Sequence, residues 1–337
     1  MIKKISKLIG LIFLIILVAI VGLLAYMSAS EYKPPQTENL TVDNQIYKTL
    51  KADEELTLMT WNVGFGALGQ DADFFMDGGT TVLPSDEDLV NKNMDAIVDK
   101  IQENDPDFLM LQEVDRPSKR SYGIDEVAKI QGSFDKYSTA FANNFKVNFI
   151  PYPVPPLGKV DSGLLSLSKY QVTSATRESL PVPFKWPVRT VNLKRCMLAE
   201  RIPLEGSDKE LILLNVHLEA YDSGEGKILQ TNALNNFIKD EIHKGNYVIA
   251  GGDFNQGFDN ANDAYGQQEG LWAPGNLKSS DMSKDLKLMM DPAVPSCRSL
   301  DSPYTDADHD TFQYYMLDGY IISNNIHAKA LKTLDYD

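Results

Sequence analysis

The segment YVIAGGDFN, residues 247 to 255, is an apolar run that ends in two glycines, a carboxylate and an amide. A short apolar run bounded by glycine predicts a buried strand. Asp253 and Asn255 would then follow the carboxyl end of that strand, where the sites of layered α/β folds are usually built. The simpler interpretation is that both residues form a turn after the glycines.

Four other apolar segments carry a polar side chain in or at the end of a predicted strand. They are Asn62 in LTLMTWN, Glu113 in FLMLQE, His217 in LILLNVHLE and Asp318 in YYMLDGYIIS. Each has an ordinary structural explanation, such as a turn cap, a surface ion pair or a core histidine. Together with the polar pair after strand 247–250, they offer carboxylate, amide and imidazole groups without cysteine. Oxygen ligands of this kind favour Mg²⁺ or Mn²⁺ over zinc.

The rest of the chain alternates between strand-like and helix-like segments. Apolar residues at helical spacing predict helices over 89–101, 124–131 and 224–244. Predicted strands lie at 56–63, 107–114, 137–142, 162–168, 171–180, 193–202, 211–218, 247–250 and 316–323. Residues 259–303 are weakly periodic and are predicted to form a loop-rich insertion. The sequence shows no internal repeat and no second domain boundary, so it predicts one layered α/β sandwich.

Six motifs occur in a characteristic order along this pattern. They are TWNVG (60–64), LQEVD (111–115), SGLLSLSKY (162–170), NVHLEA (215–220), GGDFNQ (251–256) and LDGYIIS (317–323). From about residue 56 to the C-terminus, the chain resembles the endonuclease/exonuclease/phosphatase superfamily. The resemblance implies a four-layer α/β sandwich, in which two packed β-sheets are flanked by helices. It also implies that the protein is a metal-dependent phosphoester hydrolase.

The resemblance assigns a role to each polar residue. Glu113 would be the main Mg²⁺ ligand, with Asn62 beside it and Mn²⁺ as the alternative ion. Asp253 would activate the attacking water, and Asn255 would position that water or the phosphate. His217 would donate a hydrogen bond to a phosphate oxygen. Asp318 matches the family aspartate that orients a catalytic histidine near the C-terminus.

The sequence departs from the family at its end. The usual terminal Ser-Asp-His motif is absent, and the sequence given stops at Asp337. We therefore expect the domain to lack its last strand, with the catalytic histidine supplied by a longer natural chain. His309 is predicted to be a loop residue, His327 to lie within a strand, and His243 to end a helix. If no such continuation exists, a non-catalytic binding module of the same fold is the alternative.

The N-terminus predicts a membrane anchor. Residues 8–27 are uncharged and nearly all apolar, which is long enough for a helix that crosses a bilayer. Lys3, Lys4 and Lys7 precede this run, so residues 1–7 are expected in the cytoplasm and the rest outside. The alternative is a signal peptide cleaved after Ser30. Residues 28–55 are polar and are predicted to be a tether, and residues 56–337 form the exported domain.

Charge and cysteine content narrow the function. The chain has 47 acidic and 32 basic residues and a net charge of −15, so it is poorly suited to non-specific binding of duplex DNA. Two cysteines exclude a disulfide scaffold and a cysteine-rich zinc module. Cys196 and Cys297 are expected to form either one disulfide or two buried thiols.

Two further segments are open to more than one interpretation. Residues 144–159 mix aromatic residues with four prolines, and we expect a rigid surface loop rather than a membrane-dipping one. Arg189, Lys194 and Arg195 form a basic cluster, which we expect on a solvated strand face rather than against an anionic headgroup.

The predicted function is a phosphodiesterase or phosphatase tethered to the cell membrane, with lipid headgroups as one candidate substrate. The alternative enzyme is a nuclease that acts on extracellular nucleic acid.

Overall fold

The structure is a computed structural model and describes residues 2–261 and 264–335. Its four α-helices, within those residues, are α1 (Ile2–Ala29), α2 (Glu87–Asn104), α3 (Glu126–Ser133) and α4 (Glu225–His243). The predicted helices over 89–101, 124–131 and 224–244 therefore form, with ends that differ by a few residues. The N-cap of α2 is Asp86, whose side chain accepts a hydrogen bond from the backbone N–H of Leu89, which satisfies a donor that the helix leaves free.

The strands form two main sheets. They are β1 (Thr37–Leu40), β2 (Val42–Asp43), β3 (Leu58–Asn62), β4 (Phe108–Asp115), β5 (Ser138–Ile150), β6 (Gly158–Ser168), β7 (Ser174–Ser179), β8 (Cys196–Pro203), β9 (Glu210–His217), β10 (Tyr247–Asp253), β11 (Gln256–Phe258), β12 (Gly275–Leu277), β13 (Leu286–Met289), β14 (Cys297–Arg298), β15 (Tyr314–Tyr315) and β16 (Asp318–Ser323). The first sheet has the order β1-β7-β8-β9-β10-β16-β13, and the second β2-β5-β6-β4-β3. Strands β11 with β12 and β14 with β15 form two small separate pairs.

Alternating apolar residues on these strands divide the core into layers. Phe108 and Met110 on β4 join Leu211 and Leu213 on β9 in one cluster, which fills the space between the two sheets. The intervening residues of β4 pack against α2 and α3, and those of β9 pack against α4. Because successive side chains on a strand point to opposite faces, each central strand is buried on both sides. The predicted four-layer sandwich is confirmed.

Helix α1 is long and apolar enough to cross a membrane. Its candidate span runs from Lys3 to Ala29 with a mean hydropathy of 3.3 in the most apolar window, none of which is buried. The predicted apolar segment 8–27 lies inside this helix. An anchor and a signal sequence share this length and composition, so the choice between them stays a prediction.

The prediction of a tether over residues 28–55 is wrong. Strand β1 pairs with β7 at the edge of the first sheet, and β2 pairs with β5 at the edge of the second. Leu50 is fully buried among residues that separate the sheets. The segment therefore covers one edge of each sheet, which protects backbone groups that an open edge would expose. Its four-residue and two-residue strands are too short to give a clear periodic signal.

Several local expectations are also corrected. Residues 144–159 are mostly strand, because β5 continues to Ile150 and β6 begins at Gly158. The insertion over 259–303 contains β12, β13 and β14, and β13 joins the first sheet. His327 lies in an exposed segment without strand pairing. His309 begins a short 3-10 helix (His309–Thr311) and is not a loop residue, whereas His243 ends α4, as predicted. Cys196 and Cys297 are both free thiols, and Cys297 is exposed, so neither expectation for the pair holds.

Gly252 illustrates how tightly β9 and β10 pack. A Cβ atom at this position would lie 1.9 Å from the backbone oxygen of Val216, and φ is +150°. We expect Gly252→Ala to lower the free energy of unfolding by about 3 kcal/mol or more, because backbone cannot move away as a flexible side chain could. Chemical denaturation followed by circular dichroism measures the change. Gly206→Ala is the control, since Gly206 also has a positive φ of +71° but no atom within 4 Å of the added Cβ.

Glu200 gives a prediction about pH. It lies on the same face of β8 as the buried residues Leu198 and Ile202, and neither carboxylate oxygen has a hydrogen-bond partner among the described residues. Burial raises its pKa from 4.5 to about 8. Between these values the folded protein holds a proton that the unfolded chain releases, so stability falls as pH rises. We expect wild type to lose about 1.4 kcal/mol per pH unit relative to Glu200→Gln between pH 5 and pH 8.

Unfolding free energies of both proteins at several pH values measure this slope. Glutamine has no proton to release, and Glu205→Gln, on an exposed turn, should behave as wild type. Parallel pH profiles for wild type and Glu200→Gln would contradict the prediction.

Candidate active site

The two sheets bring the predicted residues together at one edge of the sandwich. In the first sheet, Asp253 on β10 is in register with His217 on the parallel strand β9 and with Asp318 on the antiparallel strand β16. In the second sheet, Asn62 ends β3 and is in register with Gln112 on β4. Glu113 is the next residue on β4, so both sheets contribute to the same edge.

A β-bulge sets the direction of Glu113. The pairing of β4 with β6 shifts register between Leu111 and Val114, and Glu113 has a φ of +55°. A bulge inserts an extra residue and redirects a side chain, and a positive φ is uncommon for glutamate. The local backbone is therefore arranged to present this carboxylate, whose side chain keeps a quarter of its surface exposed.

Asn62 joins the carboxylates of the two sheets. Its Nδ2 donates to Oδ2 of Asp253 at 2.9 Å and lies 3.3 Å from Oε1 of Glu113. Its Oδ1 accepts the backbone N–H of Gly64 at 3.1 Å, which fixes the amide. Two negatively charged groups from facing sheets thus share one donor. This contact links the two sheets at the site.

The environment of Asp253 suits a group that accepts a proton. Burial raises its pKa from 3.8 to about 6, and the hydrogen bonds from Asn62 and from the backbone N–H of Asn255 act in the opposite direction. Above that pH the carboxylate is ionised. A base with a pKa near the working pH is the most effective one.

His217 is held as a neutral imidazole beside this carboxylate. Its Nε2 lies 3.6 Å from Oδ2 of Asp253. Burial lowers the pKa of His217 well below 6.5, and the charges of Arg195 and Arg120 lower it further. Its buried Nδ1 has no hydrogen-bond partner within residues 2–261 and 264–335. A neutral ring carries one N–H donor and one acceptor.

Asn255 and Asp318 are neighbours of Asp253 that differ in their hydrogen bonding. Asn255 has a φ of +50°, and its side-chain Nδ2 donates to the backbone oxygen of Leu218 at 2.9 Å. Asp318 keeps Oδ1 buried without a partner among the described residues. Burial and the charge of Asp253 raise the pKa of Asp318 well above its usual range. No histidine of the described chain bonds to that oxygen.

The sequence reasoning missed Arg120. Its guanidinium donates two hydrogen bonds to Asp115, at 2.8 and 3.0 Å, and lies 3.7 Å from Oε2 of Glu113. It also covers the ring of Phe65 at 3.8 Å. Arg120 is buried next to Glu113, and its positive charge stabilises the position of that carboxylate. It comes from the irregular segment after β4, where no periodic pattern distinguishes it from its basic neighbours.

The expectation of a solvated basic strand face is wrong for Lys194 and Arg195. Both are buried. Arg195 donates from Nη1 to the backbone oxygen of His217 at 3.1 Å and pairs with Glu219 at 3.4 Å. Lys194 pairs with Glu31 at 3.4 Å. These cations neutralise buried acids. They also connect the active-site edge, through His217, to Glu31 near the end of α1.

The donor set fits a hard divalent cation that keeps much of its water. Within the described residues, no three His, Cys, Asp or Glu side chains lie close enough together to enclose a metal by themselves. Mg²⁺ is usually bound by one or two carboxylates with the remaining ligands from water or substrate. Glu113, partly exposed and bonded to Asn62, provides such a carboxylate, and no cysteine lies in the set.

Comparisons with known proteins agree with this architecture. The Endonuclease/Exonuclease/phosphatase family matches residues 59–314. No curated protein sequence matches the chain. An endonuclease/exonuclease/phosphatase from Beutenbergia cavernae is 18% identical with a TM-score of 0.51, over 80% of this chain and 64% of that chain. The human Nocturnin catalytic domain with bound sulfate is 18% identical with a TM-score of 0.45, over 86% and 88% of the two chains.

These identities are low, so the structural likeness concerns the fold alone. Truncated Caenorhabditis elegans TDP2 has 16% identity and a TM-score of 0.47, over 81% of this chain and 86% of that chain. The family match covers about three quarters of the sequence. The chain therefore belongs to the endonuclease/exonuclease/phosphatase family, whose members are phosphoesterase and nuclease hydrolases.

Proposed function

We propose that this protein is a membrane-anchored, divalent-metal-dependent phosphoester hydrolase whose catalytic domain lies outside the cytoplasm. The observation that carries the proposal is the contact of Asn62 with Asp253 at 2.9 Å and Glu113 at 3.3 Å. It joins a buried base to a partly exposed carboxylate at one open edge. Hydrolysis of a phosphoester needs both a base for water and a positive charge near the phosphate.

Asp253 takes the proton of the attacking water. Its raised pKa leaves it ionised at neutral pH and still basic enough to accept that proton. Neutral His217 donates its N–H to a non-bridging phosphate oxygen, on which charge builds as water attacks. Asn255 holds Asp253 in place through its backbone N–H, and its side-chain Nδ2 donates to the backbone oxygen of Leu218.

Glu113 and Asn62 would hold the metal ion. When bound, a divalent cation supplies positive charge that offsets the repulsion between the phosphate and an anionic nucleophile. Arg120 keeps Glu113 oriented from the protein side. Mg²⁺ is the ion we propose, because the ligands are oxygens and water has access to the site.

Asp318 is proposed to orient a hydrogen-bond donor that completes the site. Its buried Oδ1 has no partner within the described chain, although an unpaired buried oxygen is costly. The family resemblance assigns a histidine to that position. Such a histidine, or a donor on the substrate itself, would satisfy the same oxygen.

Lipid-linked phosphoesters are the substrate class we favour. The helix α1 would hold the domain close to a bilayer, and the acidic net charge opposes binding of a polyanion such as duplex DNA. The full protein in detergent, supplied with bis-p-nitrophenyl phosphate and Mg²⁺ or Mn²⁺, should release nitrophenol and stop when EDTA is added.

A parallel assay compares phospholipid vesicles with plasmid and single-stranded DNA. Turnover of lipid alone supports the proposed substrate class, and turnover of DNA alone establishes a nuclease instead. A folded protein that hydrolyses none of these substrates with either metal would refute the hydrolase and favour a binding module.

A further inference from the structure

The last turn of α1 is fixed against the catalytic domain. Trp186 donates from Nε1 to Oγ of Ser28 at 2.9 Å. Glu31, two residues after the helix, accepts a hydrogen bond from Arg189 at 2.9 Å and pairs with Lys194. The side chain of Glu31 is only 3% exposed. The segment 181–191, which follows β7, is therefore held beside the point where α1 ends.

This segment has the composition of a membrane-interface element. It reads PVPFKWPVRTV, and Trp186 and Val188 keep 55% and 52% of their surface exposed. Among its basic residues Lys185 is exposed, whereas Arg189 pairs with Glu31. Tryptophan concentrates at the boundary between membrane and water, and basic residues are attracted to anionic headgroups.

The position of α1 indicates that a membrane covers the exposed surface of segment 181–191. Ser28 lies one residue after the apolar run of α1 and in its last turn. A helix rises about 1.5 Å per residue, so the contact with Trp186 lies within a few ångströms of the end of the apolar run. If α1 spans the bilayer, the segment 181–191 must lie at the membrane surface.

We propose that residues 181–191 form a second contact with the membrane, in which Trp186 and Val188 enter the headgroup region of the outer leaflet. Lys185, which is exposed, faces anionic lipid headgroups. The proposal rests on the anchoring by α1 that is part of the proposed function, and it adds the orientation of the domain.

The contact would turn the active-site edge towards the bilayer. Strand β8 starts after this segment and runs antiparallel to β9, so its beginning lies beside the end of β9. Lys194 pairs with Glu31, and the next residue, Arg195, donates to the backbone oxygen of His217. Two consecutive residues thus join the membrane contact to the site. A phosphoester at the outer-leaflet surface would approach this edge directly.

The test uses the full protein in vesicles of phosphatidylglycerol and either ordinary or brominated phosphatidylcholine. Bromine quenches tryptophan fluorescence only at short range, and the chain has three tryptophans. The fluorescence difference between wild type and Trp186→Phe isolates the signal of Trp186. We expect brominated lipid to reduce this difference signal by about twofold or more, as for a residue in the headgroup region.

The matched control is Trp272→Phe, which removes a tryptophan bonded to the backbone oxygen of Ala220, in the domain. The corresponding signal of Trp272 should be the same in both vesicles. Flotation of the vesicles checks the anchor separately. Protein that floats, but whose Trp186 signal is equal in the two lipids, overturns the membrane contact and leaves the anchor intact.

Protein that does not float overturns both the anchor and the contact. Hydrolysis of bis-p-nitrophenyl phosphate in detergent tests the proposed hydrolase activity independently of the anchor and of the membrane contact. A Lys185→Glu variant gives a second readout, since its Trp186 signal should be quenched less by the same anionic vesicles. An unchanged signal in Lys185→Glu would contradict the role of Lys185.

Discussion

Asp253→Asn is expected to lower kcat for phosphodiester hydrolysis by about 10³-fold, because the variant loses the base that takes the proton of water. Asparagine has nearly the same shape, and its oxygen can still accept the backbone N–H of Asn255, now 2.9 Å from Oδ1. The fold should therefore be preserved. Steady-state kinetics with bis-p-nitrophenyl phosphate and Mg²⁺ measure the change, and circular dichroism with thermal melting checks the fold.

The control for this variant is Asp208→Asn. Asp208 is exposed, and within the described residues its side chain pairs only with the neighbouring Lys209. Removing its charge should therefore leave kcat unchanged. A folded Asp253→Asn protein with wild-type kcat would remove Asp253 from the mechanism. In that case another group must accept the proton, and the buried carboxylate of Asp318 would be examined next.

Glu113→Gln is expected to weaken the binding of divalent metal by about 100-fold and to lower activity at limiting metal accordingly, since it removes the one charged ligand that is partly exposed. Titration with Mn²⁺, followed by electron paramagnetic resonance, measures binding without any substrate. Activity at increasing Mg²⁺ gives the second readout. The two affinities should shift together.

Glu103→Gln is the matched control, because Glu103 is an exposed helical residue that pairs with Lys100. Loss of activity in Glu113→Gln with unchanged affinity for Mn²⁺ would contradict the assignment of Glu113 as a ligand. The carboxylate would then be needed for the position of Asn62 and Arg120, which both approach it. The experiment separates these roles because binding and turnover are read independently.

Much of the fold could be predicted from local patterns. Helix α2 was predictable because Val90, Met94, Ile97, Val98 and Ile101 recur at helical spacing and all become buried on one face. The central strands were predictable because continuous apolar runs suit strands that are covered on both sides. The predicted position of each polar residue at a strand end also holds for Asn62, Asp253 and His217.

The segment that follows α1 shows why other features could not be predicted. Thr37 pairs with Glu178 at a sequence separation of 141 residues. Such pairing uses backbone hydrogen bonds at a sheet edge, and these place little demand on side-chain type. Lys194 and Arg195 likewise give the same sequence signal as solvated cations. Their burial depends on Glu31 and Glu219, which come from other parts of the chain.

The sequence by itself determined the layered architecture, the family and the set of polar residues at strand ends, because periodicity and motif order are local properties. The tertiary structure alone decided that Asn62 joins Asp253 to Glu113 across two sheets, and that a bulge directs Glu113. It also decided that Arg120 supports that carboxylate and that the end of α1 docks beside the active-site edge. These features depend on how distant segments pack, and no local pattern records that packing.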